Sequence, residues 1–202
     1  MKQLGYLLLA VCFFLSSPLI QAPSAVACVG KKIVIGTLVD PEQRILANML
    51  ALLIRERTGT TVEIQEFPEM ESLASALKED EIQIYSEYLQ TGLKSLQLEA
   101  TGQQNKVLLK KVKKEYNRRF NLVWLAPYGF VSSRISKASQ LSAAPLIDKH
   151  TLKLFPALPR LLNKLGGIID DSQLSKLIKS VEADNESAEE VARQFLKEQK
   201  LI

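Results

Sequence analysis

Side chains able to carry out covalent or metal chemistry are scarce in this chain of 202 residues. His150 is the single histidine, and Cys12 and Cys28 are the two cysteines. A cysteine–histidine nucleophile would have to use Cys28, which stands ahead of the first regular element, and a metal cluster would lack ligands. No nucleophile–base pair and no phosphate-cradling loop is present, so the chain reads as a protein that is not an enzyme and has no cofactor. The carboxylates Glu42 and Glu87 stand isolated and read as a capping group and a surface or rim group. The densest basic run, Lys106–Arg119, alternates with Val107, Leu108, Leu109, Val112 and Tyr116 at helical spacing. It reads as the solvated face of an amphipathic helix and not as a nucleic-acid stripe.

The N-terminus sets the compartment. Met1-Lys2 supplies positive charge, Leu4–Ile20 is mostly apolar, and Gln21–Ala27 leads through small residues to Cys28, the three-part order of a secretory signal over residues 1–27. Ser16-Ser17-Pro18 interrupts a run already short of the roughly 20 apolar residues a membrane span needs. The reading is therefore export to a periplasmic or other extracytoplasmic space. Ala25-Val26-Ala27 has the form of ordinary signal cleavage, whereas Ala25–Cys28 also approximates a lipobox in which Cys28 would carry lipid. The polar spacer before Cys28 and the lack of a large aliphatic residue three positions ahead of it favour soluble export. Cys12 leaves with the leader in either case, so no internal disulfide can form.

About 175 residues remain, enough for one domain with a substantial core. Lys32–Gly36 is short and β-branched, as a buried strand would be. A helix follows, with Asp40 as N-cap, Pro41 in the first turn, Gln43 at the third position of a capping box and Gly59 at the end. Thr61–Glu66 alternates as a strand, Met70–Glu79 reads as a helix and Ile82–Tyr85 as a third strand. Further helices are expected at about Gln90–Leu98 and Asn105–Arg118. Asn121–Leu125 and Tyr128–Ser132 read as strands, with Trp124 packed between sheet and helices. From Ala144 onward the pattern is helical, over Lys149–Leu165, Asp171–Val181 and Ser187–Gln199, the last opened by a Ser187/Glu190 capping box. Successive βα units followed by packed-back helices predict an α/β domain with a largely parallel sheet covered on both faces.

These elements carry a specific resemblance. Ile33–Gly36, Glu42-Gln43-x-Ile45-Leu46-x-x-Met49-Leu50, Thr58-Gly59-x-x-Val62, Ala76-Leu77 and Ile84-Tyr85-x-Glu87-Tyr88-x-x-Thr91-Gly92-Leu93 occur in one order. Tyr116 with Asn121–Leu125, Pro127 and Gly129-Phe130, then Ala144-Pro145-Leu146 and Ala188–Ile202, extend it. In that order they resemble the substrate-binding component of glycine betaine, choline and related osmoprotectant ABC importers. The resemblance implies a three-layer αβα lobe of type II periplasmic-binding-protein-like fold, mostly parallel in its sheet and closed by C-terminal helices. It also implies an ABC permease as membrane partner and a quaternary ammonium or related small osmolyte as ligand. Family members enter a second α/β lobe after a segment like Trp124–Phe130. Here residues 131–143 bridge that gap, leaving 28–202 as one lobe, with βα units over 32–130 and closing helices over 144–202.

A quaternary ammonium cannot donate a hydrogen bond, so it is held against aromatic faces by cation–π attraction. The family's cleft supplies aromatics from both lobes, and one lobe offers part of a cage. The expected ligand-binding residues are Tyr88, Tyr85, Glu87 and Thr91, beside the C-terminal end of a strand, where wound sheets bind ligands. Tyr85 reads as core, and Tyr88 as either a cage residue or a cap on the sheet edge. Other positions depart from the family pattern. Asp40-Pro41 replaces Phe-Thr, Pro68-Glu69-Met70 replaces a Gly-Gly-Thr turn, Leu89-Gln90 replaces Thr-Gly, and Val131–Arg134 replaces Asn-Asn-Thr-Tyr. Loss of a glycine turn removes close approach to backbone amides, and Arg134 would place a cation where a cationic ligand's aromatic neighbour should be. The expectation is an exported solute-binding lobe that folds but holds its inherited ligand poorly. The alternative is a non-transporting interaction lobe docking on a permease or another exported partner, or a degenerate duplicate.

Overall fold

The computed structural model describes residues 32–99, 104–131 and 142–202. The expected leader over residues 1–27, Cys28, Arg134 and most of the expected 131–143 bridge lie outside them. Strand β1 (Ile33–Leu38) runs two residues beyond Gly36 and leads into α1 (Pro41–Thr58). Asp40 caps α1 by accepting the Glu42 N–H at 2.8 Å, and Gly59 ends it at φ 68°, a left-handed conformation that glycine adopts without a Cβ clash. The expected capping box does not form. Gln43 turns inward instead, and its Nε2 donates to the Ser86 carbonyl at 3.1 Å. α1 is buried around almost its whole circumference from Ile45 to Ile54, as befits a helix with apolar residues on every side.

The chain continues through β2 (Val62–Phe67), α2 (Met70–Lys78), β3 (Ile84–Tyr88), α3 (Leu89–Ser95), α4 (Asn105–Arg119), β4 (Leu122–Trp124) and β5 (Ala143–Asp148). The five strands form one sheet in the order β2-β1-β3-β5-β4. β1 pairs in parallel with β2 and β3, whereas β5 runs antiparallel to both β3 and β4, so four strands share one direction and one opposes them. β3 starts two residues later and ends three residues later than Ile82–Tyr85, which puts Glu87 and Tyr88 inside the sheet.

β5 is a correction to the expectation of helices from Ala144 onward. Two alanines and a proline are poor strand formers, and proline is rarely found in a central strand. Pro145 fits because the β4 ladder ends at the Trp124–Leu146 pair, so no β4 residue is paired with Pro145, and its carbonyl accepts the Leu125 N–H at 2.9 Å. Tyr128–Ser132 is not a strand over its described part. Tyr128 donates its N–H to the Ala143 carbonyl, and Gly129 makes an isolated parallel bridge with Ile169. The helix expected over Lys149–Leu165 is broken into α5 (Lys149–Leu154), α6 (Leu158–Leu162) and a 3-10 turn (Asn163–Leu165). Phe155, which precedes Pro156, leaves the helical region at φ −129° and ψ 70°, because the following proline ring disfavours a helical residue before it. α7 (Asp171–Glu182) and α8 (Ala188–Glu198) both open with capping boxes, Asp170/Gln173 and Ser187/Glu190.

Period-two alternation divides the sheet between two layers. Ile33, Ile35, Ile84, Tyr88, Ala143 and Ile147 pack with α1 and, behind it, α6–α8. Tyr85, Ala144, Leu146 and Trp124 pack with α2, α3 and α4. Trp124 lies edge-on to Tyr116 with ring centroids 5.5 Å apart, and a Cβ on Gly92 would stand 2.7 Å from its ring.

Candidate functional site

The IYSEY strand runs to the C-terminal edge of the sheet, beside the first turn of α1. Alternation sends Tyr85 and Glu87 to the α2–α4 side and Ser86 and Tyr88 to the α1 side. The candidates therefore do not share one wall. On the first side the Tyr85 hydroxyl donates to Glu87 Oε2 at 2.6 Å. Glu87 Oε1 accepts the Tyr88 N–H at 2.8 Å, which ties the two sides together through the backbone. On the other side the Tyr88 hydroxyl donates to Glu42 Oε1 at 2.7 Å. Tyr85, Glu87, Tyr88 and Glu42 are all buried. Glu42 and Glu87 are thus interior carboxylates, not the capping and rim groups their isolation in sequence suggested.

Burying a carboxylate is unfavourable unless donors surround it. Glu42 sits in the first turn of α1, where the helix dipole favours negative charge, and it receives the Tyr88 hydroxyl. Glu87 is less well placed. Desolvation pushes its carboxyl up to about 7, and the bonds from Tyr85 and Tyr88 only partly offset this. The same burial, together with the Glu87 charge, raises the Tyr85 phenol well above its ordinary value. Near neutral pH Glu87 is therefore partly protonated, while the raised Tyr85 phenol remains a neutral donor to it.

Two further aromatics join this cluster without having been singled out from sequence. The Tyr128 hydroxyl and Ser86 Oγ lie 2.7 Å apart in a hydrogen bond. The Tyr128 ring stacks on Phe130 with centroids 6.0 Å apart and planes 4° from parallel. Both rings are fully buried. The signal that could have found them is alternation, since residues 128 and 130 share a side just as 86 and 88 do. Thr91 is half-buried on α3, and Cys28 lies outside the described residues. Among the described residues no group of histidine, cysteine, aspartate and glutamate could hold a metal ion, and no helix is long and apolar enough to cross a membrane.

Beside Tyr85 on the α2–α4 side lies a cavity of about 50 Å³ bounded by Lys78, Ser95, Tyr116 and Phe120. A wider pocket of about 340 Å³ opens at the opposite end of the sheet, between Lys32, Asp80, Gln83, His150 and Phe155. The arrangement as a whole provides π-faces and buried negative charge at the carboxyl end of the strands, which is the chemistry that attracts an organic cation. Those faces are turned inward.

The sequence matches the family described as the substrate-binding domain of ABC-type glycine betaine transport systems over residues 31–134 and 136–198. Solved structures are similar in fold. One described as a glycine betaine/carnitine/choline ABC transporter aligns at a TM-score of 0.76 and 15% identity, covering 84% of this chain and 99% of that one. Apo YehZ from Escherichia coli aligns at 0.73 and 13% identity, covering 85% and 100%. A choline-binding protein of an ABC transporter in complex with choline aligns at 0.51 and 10% identity, covering 84% and 89%. The strand order with one reversed strand, layered αβα, is that of a single lobe of the type II periplasmic-binding-protein-like fold. The chain belongs to the family of substrate-binding domains of ABC-type glycine betaine transport systems.

Proposed function

We propose that this chain is an exported solute-binding component related to quaternary ammonium import, reduced to one lobe and weakened in its hold on ligand. The observation that carries this reading is the state of Tyr88. It occupies the carboxyl end of β3, where a wound sheet binds its ligand, yet it is fully buried and its hydroxyl is bonded to Glu42. Tyr128 and Phe130, the other rings of the cluster, stack on each other. A cation needs an accessible ring face within about 6 Å of its charge, and ligand would have to open this packing to obtain one. Binding must then offset the cost of rearrangement, which lowers the apparent affinity.

Titration calorimetry of the chain from Val29 onward, with glycine betaine, choline, carnitine and proline betaine in turn, tests the reading. The expected result is saturable heat for at least one of them at millimolar ligand, lost in Tyr88→Ala and reduced in Thr91→Ala, with circular dichroism confirming that both variants fold. Micromolar affinity would contradict the weakening. No heat from any of the four would favour the interaction lobe.

A further inference from the structure

We propose that the outer face of α4 docks the protein on a bilayer surface rich in anionic phospholipid. α4 carries seven of the chain's 26 Lys and Arg but only one of its 22 Asp and Glu. The other 19 cations are outnumbered by 21 acids, so the net charge of +4 arises from this one helix. Leu108, Val112 and Tyr116 point into the core, which leaves the opposite face to solvent. The single acid, Glu115, is taken by Arg118 at 2.7 Å and Arg119 at 2.8 Å. Lys106, Lys110, Lys111 and Lys114 are exposed, and among the described residues they make no ion pair. Amid them Val107 is 53% exposed, one of two large hydrophobic residues so open among the described residues.

An exposed apolar side chain within a lysine face is the pattern of a helix that lies on a membrane interface, the lysines meeting headgroup charge and the apolar group entering the acyl boundary. Lysine is a compact hydrated charge that suits many diffuse phosphates, whereas recognition of one fixed carboxylate or phosphate favours the planar fork of arginine. The two arginines here are already engaged. Nucleic acid is a poorer fit because the face offers no ring for a base to stack on: Tyr116 is buried, and the Lys78 ammonium sits 5.5 Å from the centre of the Phe120 ring. The helix is roughly 22 Å long at 1.5 Å per residue, enough to span several headgroups. Such docking is separate from ligand binding and would hold the lobe near a membrane.

Vesicle co-sedimentation tests it, using the chain from Val29 onward, which lacks Cys28 and contains every described residue. The probes are vesicles of phosphatidylcholine alone and vesicles containing one third phosphatidylglycerol. The expected result is binding to the anionic vesicles only, lost at about 0.5 M salt, and weakened at least about tenfold in the triple variant Lys110→Glu/Lys111→Glu/Lys114→Glu. Val107→Ser should weaken binding with no change in its salt dependence. Equal binding by wild type and triple variant would overturn the proposal. So would failure to bind anionic vesicles at low salt, or retention by a single-stranded oligonucleotide or an acidic peptide but not by lipid. Circular dichroism verifies that the variants fold, as expected for changes at exposed positions.

Discussion

The two ends of the sheet handle polar groups in opposite ways. At the carboxyl ends of β1 and β3, Glu42, Gln43, Ser86, Glu87, Tyr88 and Tyr128 are buried and bonded to one another. At the far end, Lys32, Asp80, Gln83 and His150 surround an open pocket of about 340 Å³. Wound sheets place ligands beyond their carboxyl ends, so the end expected to be open is packed and the end expected to be idle is open. The contrast teaches that a void is a poor guide to function on its own. Solvated side chains around a surface hollow cost nothing to keep, whereas interior carboxylates must be held by specific partners.

The strongest way to break this contrast is to remove its central ring. Tyr88→Ala deletes a fully buried aromatic and leaves Glu42 without its hydroxyl donor, and should destabilise the protein by about 4 kcal/mol in urea denaturation. Tyr88→Phe keeps the ring and should cost less than half as much. If the alanine variant loses under about 1 kcal/mol, the packed end is looser than its burial indicates.

The next effect is a pH dependence. Glu87 titrates near 7 in the folded protein against an ordinary 4.5, so between those values the folded state binds more protons than the unfolded one. Stability from this group is present in full below about pH 4.5 and is lost as pH rises to about 7. The loss amounts to roughly 3 kcal/mol. Glu87→Gln should abolish that component, making the variant more stable than wild type at pH 8 and no better at pH 4.5. Denaturation midpoints across this range measure it, and parallel curves for the two proteins would show that burial of Glu87 carries no penalty.

A smaller effect is expected at Tyr128→Phe. The ring stays stacked on Phe130 while Ser86 Oγ loses its partner, which should cost about 1 kcal/mol by thermal or urea unfolding. A neutral outcome would mean that another donor or acceptor replaces the hydroxyl.

How much of this was legible in sequence follows from which forces are local. α1 was readable end to end because Asp40, Pro41 and Gly59 act on their own neighbours, and the Ser187/Glu190 box for the same reason. β5 was not, because Ala143–Asp148 is held in place by its two neighbours β3 and β4 and not by its own propensity. The candidate strand was identified, but the position of its end governed the outcome. Ending β3 at Tyr88 instead of Tyr85 moves Glu87 and Tyr88 from a rim into the sheet. The partners Glu42, Gln43 and Tyr128 lie more than 40 residues from the atoms they bond, and no local pattern announces such pairs.

The far end supplies the smallest expected effect and the control for all the others. His150 is exposed at the start of α5 and lines the open pocket. The cap of that helix belongs to Asp148, whose Oδ1 accepts the Thr151 N–H at 2.8 Å. Among the described residues, removing the imidazole therefore breaks no hydrogen bond and creates no cavity in the core. His150→Ala should change stability by no more than about 0.5 kcal/mol and leave any osmolyte titration unchanged. A loss of ligand heat in this variant, with Tyr88→Ala binding normally, would reverse the contrast and put the working site at the amino end of the strands.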